Sequence, residues 1–166
     1  MELSDLVDHH HICQLKYAYL RCLDQKDWDG IASLFLPDAT ASYSGGAYHY
    51  EGADQIVAFM RTNMSEVQFH TAHRAHHPEI TVHGDKATAI WAFDDVNADP
   101  ERDFFLMGAG FYDDRYQRVA GEWLIEHTGY RRTYEAIMPM SANKMALTAS
   151  WWGTDGRSIL PVAPNE

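Results

Sequence analysis

The sequence of 166 residues predicts an α+β fold, a cone in which a curved mixed or antiparallel sheet wraps around a long N-terminal helix and encloses an apolar pocket. Two observations predict it. Helical periodicity is confined to the chain before about residue 65, where apolar side chains recur at three-four spacing. From residue 68 onward the period becomes two, over long runs punctuated by Gly84-Asp85 and Ala120-Gly121. A sheet of that kind closed around a helix has a mouth, and the mouth is a natural small-molecule site.

Residues 3–24 carry Val7, Ile12, Leu15, Tyr19, Cys22 and Leu23 on one stripe without Pro or Gly, which predicts the long helix. Asp27 is a good N-cap for a short second helix burying Trp28, Ile31, Leu34 and Phe35, stopped by Leu36-Pro37-Asp38. Ala39–Tyr43 reads as a short strand, Ser44-Gly45-Gly46 as a turn and Ala47–Tyr50 as its return. A third helix over Ala53–Met64 buries Ile56, Phe59 and Met60. Four long strands follow: about 68–83, Lys86–Val96, Phe104–Arg118 and Glu122–Tyr134, with a polar loop Asn97–Asp103 between the second and third. One domain is expected over residues 1–135. Residues 136–166 form an extension that has lost periodicity but keeps Trp151-Trp152. Adjacent tryptophans are unusual in a disordered tail, so the extension is expected to pack over the pocket mouth or on a neighbouring subunit.

Thirteen basic against twenty-four acidic residues give a formal charge of −11, which argues against binding a phosphate backbone. No apolar run approaches the roughly 18 residues of a membrane span, and the acidic, polar N-terminus MELSDLVDHH is not a secretory signal. Cys13 and Cys22 lie on one helix, roughly 13 Å apart at about 1.5 Å rise per residue, too far to pair. A reduced, cytoplasmic setting is the simple expectation.

The richest stretch is His70–Gly84, HTAHRAHHPEITVHG, with four histidines in its first eight residues. Carrying the phase of Ile80 and Val82 backwards puts His76, Arg74 and His70 on the core side and sends His73 and His77 out. A β-bulge near Pro78 would reverse that phase. A metal site is not expected, because neighbouring histidines on a strand point apart and no Cys pair or HExxH pattern accompanies them. Inward His76 is therefore either a structural imidazole or an acid–base group. Asp24, at a helix C-terminus that its charge opposes, has the same two readings. So do Tyr19, Tyr43, Asp95, which continues the phase of Trp91 and Phe93, and Arg132, a candidate partner for it. On the last strand Thr128, Tyr130 and Arg132 share one face and Trp123, Ile125 and His127 the other, so phase alone does not say which face is inside.

The runs Tyr19–Asp24, Trp28-Asp29, Pro37-Asp38, Ser42-Tyr43-Ser44, His76–Thr81, Asp94-Asp95, Phe111-Tyr112 and Thr128–Arg132 together resemble the SnoaL-like branch of the nuclear transport factor 2-like superfamily. Within that branch they are most similar to the bile-acid 7α-dehydratases, and more distantly to scytalone dehydratase. The resemblance covers roughly residues 8–135. It implies the α+β cone, assembly as a homo-oligomer (trimer or dimer), and pocket residues at Tyr19, Asp24, Tyr43, His76, Asp95 and Arg132. The loop Asn97–Arg102 and the tail after Glu135 have no counterpart in it.

The chemistry this implies is a cofactor-independent dehydratase acting on a hydrophobic, ring-containing carbonyl compound, steroid- or polyketide-like. Asp24 would orient His76, whose other nitrogen would take a proton next to the carbonyl. Tyr19 and Tyr43 would donate to the enolate oxygen. Arg132, Asp95, Trp91, Phe93 and Tyr130, with Phe111 in the same interior, would contact or support the substrate. The same base serves an isomerase equally well, and a non-catalytic small-molecule-binding module is the alternative of a different class.

Overall fold

A computed structural model describes residues 3–160; residues 1–2 and the end of the expected extension, 161–166, lie outside the described residues. Helix α1 (Leu3–Asp24) leads to α2 (Trp28–Ala32), β1 (Phe35–Tyr43), β2 (Tyr48–Glu51), α3 (Ala53–Met64) and the long strands β3 (His70–His83), β4 (Lys86–Asp99), β5 (Phe104–Val119) and β6 (Glu122–Met138). They form one six-stranded sheet in the order β2-β1-β6-β5-β4-β3. Every pairing is antiparallel except β1 with β6, which is parallel, so the sheet is mixed. Among the described residues no helix is long and apolar enough to cross a membrane.

Helix α1 lies against the concave side of the sheet through Ile12, Leu15, Tyr19 and Leu23, as its spacing predicts. Val7, expected on that stripe, is half-exposed. Asp8 is buried instead, accepting hydrogen bonds from Arg118 Nη1 at 2.6 Å and Trp123 Nε1 at 3.0 Å. Lys16 joins the buried face as well, and its ammonium lies 2.7 Å from Asp114 Oδ2 with both side chains 1% exposed.

The second helix is shorter than expected. Asp27 caps it by accepting the Gly30 N–H at 2.9 Å, but it ends at Ala32, and Phe35 opens β1 opposite Ile125. Pro37 holds Leu36 extended, so the chain leaves the helix earlier and the pairing with β6 shifts between Phe35 and Thr40. Strand β4 runs three residues further than expected, to Asp99. There the buried Asp99 carboxylate accepts the backbone N–H groups of Glu101 and Arg102, which turns the chain. Ala120 and Gly121 both take positive φ (52° and 90°), the two-residue turn that suits the twist of a hairpin.

Of the three register shifts among the long strands, which include one between Ala109 and Gly110, two bear on the faces left open above. One lies between His76 and Glu79 on β3, where His77 adopts a left-handed φ of 47°. The other lies between Arg115 and Tyr116 opposite β6, and it allows Trp123, Ile125 and then Thr128 all to be buried. The two faces left open on the last strand are therefore both inside, in different halves.

Candidate functional site

The bulge at His77 corrects the expected placement of the histidines. Upstream of it, His73 and Ala75 point inward and His76 points out; downstream, Ile80 and Val82 point in. The expected Asp24–His76 pair does not form. His76 Nε2 lies 2.5 Å from Asp94 Oδ1 on the outer face, with both side chains more than two-fifths exposed. Asp24, at the C-terminus of α1, meets His73 instead.

That second pairing is well supported. His73 Nδ1 is 2.7 Å from Asp24 Oδ1, the Thr71 hydroxyl donates to the same oxygen at 2.8 Å, and the His73 backbone N–H donates to Asp24 Oδ2 at 2.9 Å. Burial pushes the Asp24 carboxyl up, but these hydrogen bonds and the neighbouring imidazole outweigh it and hold the group below the usual carboxylate range. An ionised carboxylate only accepts, so Nδ1 of His73 carries the hydrogen in this bond. The unfavourable acid at the end of α1 is thus satisfied from across the sheet.

His73 lines a small interior cavity of about 80 Å³ together with Tyr19, Tyr43, Tyr112, Tyr130 and Phe59. The Tyr43 hydroxyl is buried there beside that of Tyr19. Burial, with the neighbouring Tyr19 adding to it, keeps Tyr43 protonated well above the ordinary tyrosine range. Tyr19 and Tyr112 are likewise pushed up, burial first. The cavity therefore presents neutral phenols that can donate, beside the His73 imidazole.

Behind this layer, Asp95 (2% exposed) takes a two-pronged bond from Arg132, at 2.6 and 2.8 Å, and a third from Asn97 at 3.0 Å. Its Oδ2 is 4.0 Å from His73 Nε2. Arg132 also reaches Glu135 at 2.8 Å and lies over the rings of Phe93 and Tyr130, at 5.6 and 5.3 Å. Its expected pairing with Asp95 is observed. Gly108 makes room for it, since a Cβ at that position would collide with Arg132 Nη1. Phe93 packs on Tyr112 and Tyr130 rather than lining the cavity. Trp91 lies elsewhere in the core, its Nε1 donating to Tyr116 Oη at 3.0 Å. Phe111, expected inside, is half-exposed on the outer face because Gly110 and Tyr112 take the inward positions.

A buried network that the sequence reading missed adjoins the phenols. Asp114, besides Lys16, accepts from Tyr116 at 2.7 Å and Thr128 at 2.8 Å. Lys16 Nζ sits 3.4 Å from the Tyr112 ring centroid and 4.9 Å from that of Tyr19. Its spacing to Ile12 and Tyr19 placed it on the buried stripe, and that was the available signal. A larger concavity of about 720 Å³ opens on the outer face between Ile90, Phe111, Asp113 and Arg131. Two histidines line it, His49, 3.6 Å from Glu51, and His127, bonded to Thr40 at 2.7 Å, and it shares Tyr112 and Tyr130 with the interior cavity. Among the described residues no group of three or more His, Cys, Asp or Glu side chains is placed to hold a metal ion.

The C-terminal segment packs at the Asp24 end of α1. The Trp152 ring lies 4.8 Å from Lys26 Nζ and 6.1 Å from the His70 ring. Both cysteines are free.

Residues 4–129 match the SnoaL-like domain model, and the chain belongs to that family. The fold recurs in a candidate scytalone dehydratase from Novosphingobium aromaticivorans (19% identity over 95% of this chain and 99% of that one, TM-score 0.75). It recurs also in a type 3 hexachlorocyclohexane dehydrochlorinase from Novosphingobium barchaimii (19%, 83% and 94%, TM-score 0.74). A third example is a candidate aromatic ring hydroxylase from Novosphingobium aromaticivorans (22%, 83% and 96%, TM-score 0.72).

Proposed function

We propose that this SnoaL-like protein is a cofactor-independent lyase that abstracts a proton next to a carbonyl and expels a β-hydroxyl as water, with His73 rather than His76 as the base. The observation that carries the reading is the Asp24–His73 pair at 2.7 Å on the wall of a cavity otherwise lined by phenols and apolar side chains. Asp24 fixes the tautomer and stabilises the imidazolium once it forms, the part an orienting carboxylate plays beside a histidine base.

The steps balance within the cavity. The substrate C–H breaks and its proton moves to His73 Nε2, while the electron pair develops as an enolate. Tyr43 donates to that oxygen, with Tyr19 and Tyr130 beside it. The enolate then collapses, a carbon–carbon double bond forms, the β C–O bond breaks, and the imidazolium returns its proton to the departing hydroxyl. Asp95, held by Arg132, lies 4.0 Å from Nε2 and backs the ring. The names of the dehydrochlorinase and dehydratase sharing the fold favour elimination over isomerisation. The apolar lining favours a hydrophobic ring-containing hydroxy ketone, steroid- or polyketide-like.

Incubating the purified protein with a panel of cyclic β-hydroxy ketones and reading loss of water by mass spectrometry tests the proposal. Dehydration by the native protein that disappears in His73→Gln is the expected result. A product of unchanged mass with a shifted double bond would make it an isomerase, and no conversion of any panel member would favour a binding module. The exposed outer-face residues Ile90, Met107 and Phe111 support the homo-oligomer expected from the resemblance, which light scattering checks.

A further inference from the structure

We infer that the substrate site continues past the Asp24–His73 pair into a second, outer chamber, so that the inner cavity takes only the reacting end of an uncharged, flat substrate of two or more rings. This deepens the reading above and rests on its base assignment. An apolar cavity of roughly 150 Å³ holds a single benzene, and ordinary ligand sites run to about 300–1,000 Å³. The inner cavity, at about 80 Å³, accommodates only the oxygen-bearing edge of a first ring. The outer chamber has about 310 Å³, bounded by Asp24, His70 and Thr71 on one side and by Leu147, Trp151 and Trp152 of the C-terminal segment on the other. Asp24 belongs to its wall while bonding His73, which lines the inner cavity. The base pair is therefore the partition between the two spaces.

Three rings, His70, Trp151 and Trp152, line the outer chamber together with Leu147 and the polar Gln25, Thr71 and Ser150. Trp152 is anchored over Lys26, which itself donates to the Phe69 carbonyl at 2.9 Å and to the Met64 carbonyl. The tail turn behind it is closed by the Ser150 hydroxyl, which accepts the Gly153 N–H at 2.7 Å. Burial, then the nearby Lys26, holds His70 below the usual histidine range, so it presents a neutral ring near pH 7. Among the described residues, the two charged groups at this wall, Asp24 and Lys26, already hold hydrogen-bond partners. What the walls select is a planar apolar ring stacked beside Trp152.

Phenol and 2-naphthol serve as probes, since each carries an enol-like hydroxyl on a flat framework of one ring or two. Calorimetric titration of the full chain is expected to show 2-naphthol binding about tenfold tighter than phenol. Trp152→Ala, whose folding is checked by circular dichroism, should abolish most of that difference and leave phenol affinity unchanged. Lys26→Met, which frees the indole of its anchor, should reduce it partly. Equal affinities in the native protein, or a preference that survives Trp152→Ala, overturns the second chamber. The readout is binding, so failure of the base assignment is separable: in His73→Gln the two-ring preference should persist, whereas retained turnover there would overturn the base alone.

Discussion

Two Asp–His pairs lie three residues apart along β3, and they differ in almost everything but their chemistry. His73 and Asp24 meet at 2.7 Å with side chains 11% and 24% exposed, whereas His76 and Asp94 meet at 2.5 Å with side chains 41% and 42% exposed. The inner carboxylate comes from another element and is also bonded by Thr71 and a backbone N–H. The outer one lies on the adjacent strand and is shared with Arg74 at 3.1 Å. By contact distance the outer pair is the better one. Water around it screens the interaction, whereas the inner histidine lines a cavity. A short hydrogen bond is common to both pairs, so only surroundings can make one of them a catalyst.

The sharpest way to break this contrast is to exchange each histidine separately. His73→Gln should lower turnover in the dehydration assay by about 10²–10⁴-fold, the usual share of a positioned general base. His76→Gln should stay within about twofold, since exposed pairs are worth roughly 0–1 kcal/mol. The opposite result would mean that the bulge at His77 does not set the inward histidine.

A third pair extends the comparison to full burial. Lys16→Met strands the Asp114 carboxylate beneath Tyr112 and should cost about 3–5 kcal/mol in urea unfolding. Replacing both residues, Lys16→Met with Asp114→Leu, should recover a large part, because removing both charges avoids the stranded one. If the single change cost no more than an exposed pair does, the ammonium would not be held where the structure places it.

Tyr43→Phe separates function from stability within the inner site. Its buried hydroxyl meets that of Tyr19, so removal should change stability by no more than about 1 kcal/mol. If Tyr43 donates to the enolate, kcat should fall by about 10²-fold. A loss of stability with kcat intact would assign it a structural role.

How much of this could be read in the sequence follows the same line between local and non-local causes. The helices, the long strands and the inward line Trp91–Phe93–Asp95 rest on periodicity within one element, and they were legible. Asp24 was half-legible: a helix C-terminus disfavours its charge, which argued against a solvated acid without deciding the matter. The identity of its partner was not legible. It depends on one extra residue at His77-Pro78, and a single bulge inverts every histidine upstream of it. Strand β6 shows the same effect at Glu126, where a shift set by the partner strand buries both faces in turn. Lys16 reads as a solvated lysine until Asp114, 98 residues away, is brought beside it. The glycines of Gly108-Ala109-Gly110 in a strand were a usable signal of close approach, and Arg132 and Phe93 supply the reason.

The finest test of the contrast is the acid limb of stability. Asp24 is held below the usual carboxylate range, burial opposing and the His73 hydrogen bond leading the terms that lower it. Asp94 is lowered chiefly by its hydrogen bond from His76. A depressed carboxyl binds its proton more weakly in the folded state, so its contribution is present above the unfolded value of about 3.9 and is lost as pH falls through the folded one. Urea midpoints from pH 6 to pH 3 should therefore show Asp24→Asn less stable than the native protein at pH 6, with the gap narrowing toward pH 3. Asp94→Asn should show a smaller gap of the same sign, since solvent screens that pair. His70 and His127, both lowered first by burial, add a loss of stability as pH drops below about 6.5. That loss is common to all three proteins and cancels in the differences. Equal gaps for the two asparagine variants would mean that water reaches Asp24 as freely as Asp94, and the distinction between the two pairs would reduce to the cavity alone.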